Sequence, residues 1–453
     1  MRGPGEASVG WSRRRFCWSA ATAAAWVRGW SGGAMLAQAG GAGANSARPD
    51  VAAIDRPRIL AEAERALAER PAPLAAMRSE RSPAGPQVYF SEAQAEESDG
   101  GAGGRDGAFT AHRDALFGLG RSVGALAAAH LLTGETRYAE AAAAHLRMWF
   151  VDPGTAMEPR MDYAGVAPRT GAAAAVKAPG RPETARAESA AGPGNAGRAE
   201  TAPTGSFVGV LETLPLVEVV QAIPFLAAAG ALSAGDVSAL RGWFARYLRW
   251  LVSDEDSGPR LAALARDHKD HHATSWALQA AAYTLFTAAD TAAPKNEDRA
   301  MTELRRRFRG VILRSQVAPE GFFRNEITSA HPYRDSLWNL DMMACLCMLL
   351  TTRFDSVWEY QLEDGPSMRS AVAYHFPFIA NRAKWPYRAD ARRFSELPGR
   401  RVSLLFAARA YHRPEYAALW TTLSPDGVSP EVQRTMPVQQ PLLWVRQAPR
   451  MVV

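Results

Sequence analysis

The chain has 453 residues, 47% apolar and 22% charged, enough for a large core and unlike a disordered or collagen-like polymer. Its formal charge is +6, but residues 1–39 hold five Arg and one Glu, so the remainder carries only +2. That balance removes the argument for a nucleic-acid partner, and any anion site must be a local cluster.

Ser12-Arg13-Arg14-Arg15-Phe16 has the twin-arginine export pattern, followed by an Ala-rich stretch to about Val27 and a small-x-small cleavage site at Ala37-Gln38-Ala39. The plain alternative is a basic N-terminus with no address. The export reading predicts a leader over 1–39, a single domain over 40–453 and a periplasmic or secreted location. The leader's apolar run is broken by Arg28 and Gly32-Gly33, and no later run reaches spanning length, so stable membrane insertion is not expected.

From about Asp55 onward the apolar period is 3.6 residues. Helices are predicted over 111–132 and 138–150 around a Thr133-Gly134-Glu135 turn, over 212–230 with 236–252, and over 272–289 with 297–316. Successive antiparallel hairpins build an α-toroid or an α-solenoid, and periodicity alone does not choose between them. Residues 91–107 and 165–205 lack periodic apolar residues and read as surface loops. Cys345 and Cys347 stand two apart in an apolar helix, point in different directions and read as core thiols. A further helix is predicted near 402–411, and Gln440-Pro441-Leu442-Leu443-Trp444 is predicted to pack back on the body.

Two segments put proton-transfer groups beside apolar helices. In Asp267-His268-Lys269-Asp270-His271-His272, imidazoles at a helix start are placed to meet an anion, where free amides and the helix dipole help. Equally simple is a capping segment with Asp270 as N-cap and solvated imidazoles. A metal site is the third reading, but the spacing matches no zinc pattern. The second segment, 319–341, runs from a turn at Glu320-Gly321 through Arg324-Asn325-Glu326 and Tyr333, past a helix start at Asp335-Ser336, to Leu337-Trp338-Asn339-Leu340-Asp341. A tyrosine near arginines can relay protons, and more often it packs.

The order of motifs resembles the alginate lyase superfamily, polysaccharide lyases built on an incomplete toroid of helical hairpins. The matching residues are Val88-Tyr89-Phe90, Phe109-Thr110-Ala111-His112, Trp149-Phe150-Val151-Asp152-Pro153, Thr155-Ala156-Met157-Glu158-Pro159 with Tyr163-Ala164, Gly209-Val210-Leu211-Glu212-Thr213 and Lys384-Trp385-Pro386-Tyr387. The resemblance implies an all-α, incomplete (α/α) toroid and β-elimination on an acidic, uronate-containing polysaccharide, without metal or cofactor. In that chemistry the uronate carboxylate is neutralised while a base removes the proton beside it.

Where the family carries an Asn-His pair this chain has His271-His272, and Ser329 and Asp335 stand at the family's Arg and Tyr positions. Glu158 stands where relatives usually have Asn. On the active reading His272, His271 and Tyr333 are catalytic, with Tyr333 as the proton relay. Arg324, His331 and Arg334 then neutralise substrate, and Tyr163, Lys384 and Tyr387 complete its binding. The rival is a carbohydrate-binding relative that has lost activity. A third reading is a glycoside hydrolase drawing a carboxylate pair from Glu158, Glu212 and Glu326.

Overall fold

The computed structural model describes residues 46–82, 85–93, 108–167, 205–253, 261–288, 294–425 and 429–446, with side chains left undescribed at 294–298. The leader and most of both loop tracts lie outside these residues. The described residues fall in one compact unit.

The architecture is an incomplete α/α toroid, as the hairpin pattern and the resemblance together predict. Helices α1 (Val51–Ala68) and α2 (Ala111–Thr133) pack together, and α2 ends at Gly134, whose φ of 75° lies in the left-handed region that glycine enters without strain. After α3 (Thr136–Leu146), α4 (Leu216–Ala228) and α5 (Ala234–Val252), the chain forms α6 (His271–Ala288) and α7 (Pro294–Arg307). It finishes with α8 (Pro332–Leu350), α9 (Met368–Ala380), α10 (Val402–Tyr411) and α11 (Pro414–Thr422).

The inner row is α2, α4, α6, α8 and α10, each packed on the next, with α3, α5, α7 and α11 laid outside. A helix covered on all sides must be apolar around its whole circumference. Helices α6 and α8 fit that demand, with Trp276, Leu278, Leu337 and Met343 among many buried side chains. Residues 111–133 and 209–228 are also long and apolar enough to cross a membrane, contrary to the expectation that no run is. Both are core helices here, 61% and 78% buried.

One small sheet interrupts the helices. Strand β1 (Phe90–Glu92) pairs in parallel with β2 (Tyr163–Val166), so both predicted loops begin later than expected. Strands of three and four residues are too short to leave a period-two signature.

The first helices and the C-terminal region meet along a seam. Arg400 reaches Asp55 across 345 positions (2.5 Å), and Arg434 reaches Asp114 (2.6 Å). The C-terminal helix Pro441–Val445 packs on α1, α2 and α4. Glu218 of α4 anchors that segment by accepting the Gln439 and Gln440 amides at 3.0 and 2.6 Å. Burial pushes this carboxylate up to about 7 despite those bonds. Cys345 and Cys347 are free and buried in α8, as expected.

Candidate active site

Asp270 starts α6. Its Oδ1 accepts the His272 amide (3.0 Å), and its carbonyl accepts the Ala273 amide (3.1 Å), the work of an N-cap. The His271 amide donates instead to Glu326 Oε1 (2.7 Å), so a carboxylate from a separate loop also satisfies this helix start. Asn325 Nδ2 donates to the Lys269 carbonyl (2.6 Å) and Gln316 Nε2 to the Asp270 carbonyl (2.9 Å), tying the same loop region to the approach of α6.

That loop is shaped by Gly321, whose φ is 104° and whose missing Cβ would lie 2.2 Å from the Ser370 carbonyl oxygen. Only glycine fits a left-handed position so close to a neighbouring backbone. The expected turn is therefore present, and it delivers Glu326 to His271.

The two imidazoles lie 4.3 Å apart between ring centroids, and each turns its Nδ1 to a carboxylate of its own. His271 Nδ1 is 3.0 Å from Glu326 Oε2, and its ring stacks on Trp338 at 5.0 Å. His272 Nδ1 is 2.9 Å from Asp270 Oδ1, with the Phe207 ring edge-on at 5.1 Å. A carboxylate only accepts, so each Nδ1 carries a proton and Nε2 is the nitrogen left to titrate.

Burial opposes charge on His271, but Glu326, Asp335 and Asp270 outweigh it and raise the imidazole to about 9. Burial lowers His272, the positive His271 beside it lowers it further, and Asp270 only partly compensates, leaving it at about 4. At neutral pH the site therefore pairs an imidazolium with a neutral imidazole. Burial lifts Glu326 above the usual carboxylate range although His271 pulls the other way. Burial also works against Asp270, yet His272 and His271 hold it well below that range.

Asn339 of α8 braces this arrangement. Its Nδ2 donates to Glu326 Oε1 (2.9 Å) and Gln316 Oε1 (2.8 Å), and Gln316 also accepts the Thr274 hydroxyl (3.1 Å). Asp335, Trp338 and Asn339 stand at i, i+3 and i+4 on one face of α8, which is how one helix meets both histidine and carboxylate.

The other predicted residues divide. Helix α8 begins at Pro332, not at Asp335, because proline suits the first helical position. Tyr333 is consequently packed inside: its hydroxyl donates to the Phe378 carbonyl (2.9 Å) and its ring lies against Trp385 and Phe394. Fully buried there, its phenol is pushed up rather than down, with desolvation as the leading cause. The structure does not bring Tyr333 to the histidines, which corrects its assignment as proton relay.

Arg334 is engaged by Asp335 (2.8 Å), and Asp335 in turn accepts the Ser329 hydroxyl (2.7 Å). Burial works against the Asp335 carboxylate, and Arg334, His271 and Ser329 outweigh it and hold it below its ordinary range. Arg324 is exposed two residues before Glu326, and His331 is half-buried at the α8 start. Tyr387 meets Tyr374 hydroxyl to hydroxyl (3.2 Å) and packs with Phe322 and Trp385, beside exposed Lys384. Tyr163 is half-buried in β2.

Glu212 is buried, accepting from Tyr89 (2.7 Å) and Ser91 (2.6 Å), whereas Glu158 pairs with Arg160 at 2.8 Å near the surface. Glu326 and Asn339 lay in the second segment singled out in the sequence, but the pairing of Glu326 with His271 and the parts played by Gln316 and Phe207 were not apparent there. The spacing of Asp335, Trp338 and Asn339 was the available signal.

His268 Nδ1 also faces Asp270 Oδ2 (3.3 Å), so His268, Asp270 and His272 form one possible cation-binding trio, and His271, Glu326 and Asp335 another.

The sequence matches the family model described as alginate lyase over residues 73–385. A comparison with curated proteins finds no match. Among solved structures, the fold is similar to an alginate lyase from Bacteroides ovatus, with a TM-score of 0.65 and 18% identity over 88% of this chain and 94% of that one. A second similar structure is alginate lyase A1-III from Sphingomonas species A1, with a TM-score of 0.48 and 10% identity over 86% and 95% of the two chains. The family match spans well over half of the sequence, so the chain belongs to the alginate lyase family, a family of polysaccharide lyases.

Proposed function

We propose that this protein cleaves a uronate-containing polysaccharide, alginate or a related glucuronan, by β-elimination at the His271–His272 pair. The observation that carries this reading is the charge difference between two adjacent imidazoles, one held positive by Glu326 and one held neutral beside Asp270. A proton next to a carboxylate becomes removable only when the carboxylate's charge is neutralised. The His271 imidazolium supplies that neutralisation through its Nε2–H.

His272 Nε2 then takes the C5 proton, the C4=C5 double bond forms, and the C4–O4 bond breaks. The leaving O4 takes the proton back from His272, which returns to its neutral form. His272 alone is a weak base because it is buried and, further, because His271 beside it is positive. A bound uronate carboxylate compensates that charge and raises its basicity at the moment it is needed.

Specific observations favour a second reading, that of an inactive relative: Asp335 is locked to Ser329 and Arg334, and Tyr333 is buried. The test is ultraviolet absorbance of unsaturated uronate ends on a panel of polyuronates. The elimination reading expects absorbance with the wild type and a loss of about a thousandfold or more in His272→Ala with the fold intact. Polymer binding without new absorbance on any polyuronate would favour the inactive relative.

The twin-arginine pattern supports a place of work in the periplasm or outside the cell. N-terminal sequencing of exported protein is expected to begin just after Ala39. Unchanged export of an Arg13→Lys, Arg14→Lys variant would remove this assignment.

A further inference from the structure

A cavity of about 620 Å³ opens at the seam, lined by α1, α2, the start of α10 and the C-terminal segment. No residue of the histidine cluster lines it. A second cavity of about 320 Å³ shares Arg121, Gln433, Met436 and Gln439 with it, so the two form one groove along the C-terminal segment.

Charge in the larger cavity is unbalanced. Four arginines line it, Arg58, Arg65, Arg121 and Arg400, against two carboxylates, Asp55 and Glu62. Both carboxylates are engaged: Arg58 pairs with Asp55 (2.9 Å) and Glu62 (3.1 Å), Arg400 with Asp55 (2.5 Å), and Gln440 Nε2 donates to Glu62 (2.5 Å). Arg65 and Arg121 are exposed and have no carboxylate partner among the described residues; Arg121 has only a long contact with Gln433 Oε1 (3.5 Å). In the adjoining cavity Asp114 pairs with Arg434, Glu218 binds the Gln439 and Gln440 amides, and Glu69 lies 3.5 Å from the Ser122 hydroxyl, so no acid there is committed to Arg65 or Arg121.

Two guanidiniums from adjacent helices thus face a space whose lining also includes the carbon surfaces of Ala61, Pro425 and Met436, with Trp420 buried beneath Arg400 (4.7 Å). Guanidinium forks fit carboxylates, and carbon surface beside them fits the C–H face of a sugar. A simple inorganic anion would leave most of this volume unused.

We propose that the seam groove is a second, non-catalytic binding site for an acidic oligosaccharide, with a uronate carboxylate held by Arg65 and Arg121. The identity of the sugar rests on the proposed function; the preference of the groove for a carboxylate-bearing saccharide does not. A polymer held at the seam stays at high effective concentration near the histidine pair. Removing the site raises KM for long polymer several-fold and leaves kcat and the kinetics on short oligosaccharides unchanged.

The test is calorimetric titration of the full chain carrying His272→Ala with saturated mannuronate, guluronate and glucuronate tetramers, with and without Arg65→Ala and Arg121→Ala. Neutral maltotetraose and inorganic sulfate serve as comparison ligands. The expected result is a binding event that the two arginine substitutions weaken at least tenfold and that maltotetraose does not reproduce. Unchanged tetramer binding in the arginine variant overturns the site, as does equal binding of maltotetraose or of sulfate alone. Because the readout is binding, loss of the elimination reading leaves this result standing, and a failed titration with elimination intact removes only the groove.

Discussion

His271 and His272 are chemically identical side chains that the fold sets to different charge, one positive with a pKa of about 9 and one neutral with a pKa of about 4. A base that must be neutral and a neutraliser that must be charged define a pH window. Activity is expected to rise as pH climbs through the His272 value and to fall as it passes the His271 value, giving a bell between about 4 and about 9 in kcat/KM.

The raised His271 value is also a stability contribution. It is fully present below the ordinary imidazole value of 6.5 and is lost as pH rises through about 9. Glu326→Gln keeps the shape and removes the charge. It is expected to lower the His271 midpoint in a nitrogen-15 NMR titration, to draw the alkaline limb of the rate profile down with it, and to cost about 3 kcal/mol of stability. An unmoved midpoint would show that Glu326 does not hold this proton.

At this scale the sequence showed the histidine pair but not its partners. His271 and Glu326 are 55 positions apart, and no local spacing announces that one carboxylate will serve both the amide and the ring. Tyr333 misled for a local reason: with proline at the first turn, α8 begins earlier than Asp335, and that register turns the phenol toward Phe378.

Elements deliver these residues, and the loop before α8 is the most sensitive of them. Gly321 combines a left-handed φ with contact against Ser370, so Gly321→Ala suffers both backbone strain and a clash. It is expected to cost about 2–3 kcal/mol and to lower activity more than a stability loss of that size explains, because Glu326 moves with the loop. Retained melting temperature and activity would show that the loop adapts.

Helix boundaries were legible where capping chemistry is local. Residues 402–411 were predicted as a helix and form α10, and the turn at Gly134 ends α2 as expected. The strands were not legible, since β1 and β2 are short and pair across more than seventy positions. The expected 165–205 loop now loses its first residues to β2, and its remainder lies outside the described residues.

For the whole molecule, repeated hairpins were readable because each inner helix needs an apolar circumference, and composition supplies it. The seam was not, because Asp55 with Arg400 and Glu218 with Gln440 join residues 345 and 222 positions apart through individual side chains that leave no periodic trace. The terminal Gln440–Trp444 segment was expected to pack back on the body, and it does so against α1, α2 and α4.

Elimination at the histidine pair is distinguished from hydrolysis by the mass of the products. A defined uronate oligosaccharide is digested and its fragments are weighed by mass spectrometry, with His272→Ala as control. Elimination adds no water, so the two fragment masses are expected to sum to the parent mass, and the variant is expected to yield neither fragment. Fragments whose sum exceeds the parent by one water would mean hydrolysis and would contradict elimination.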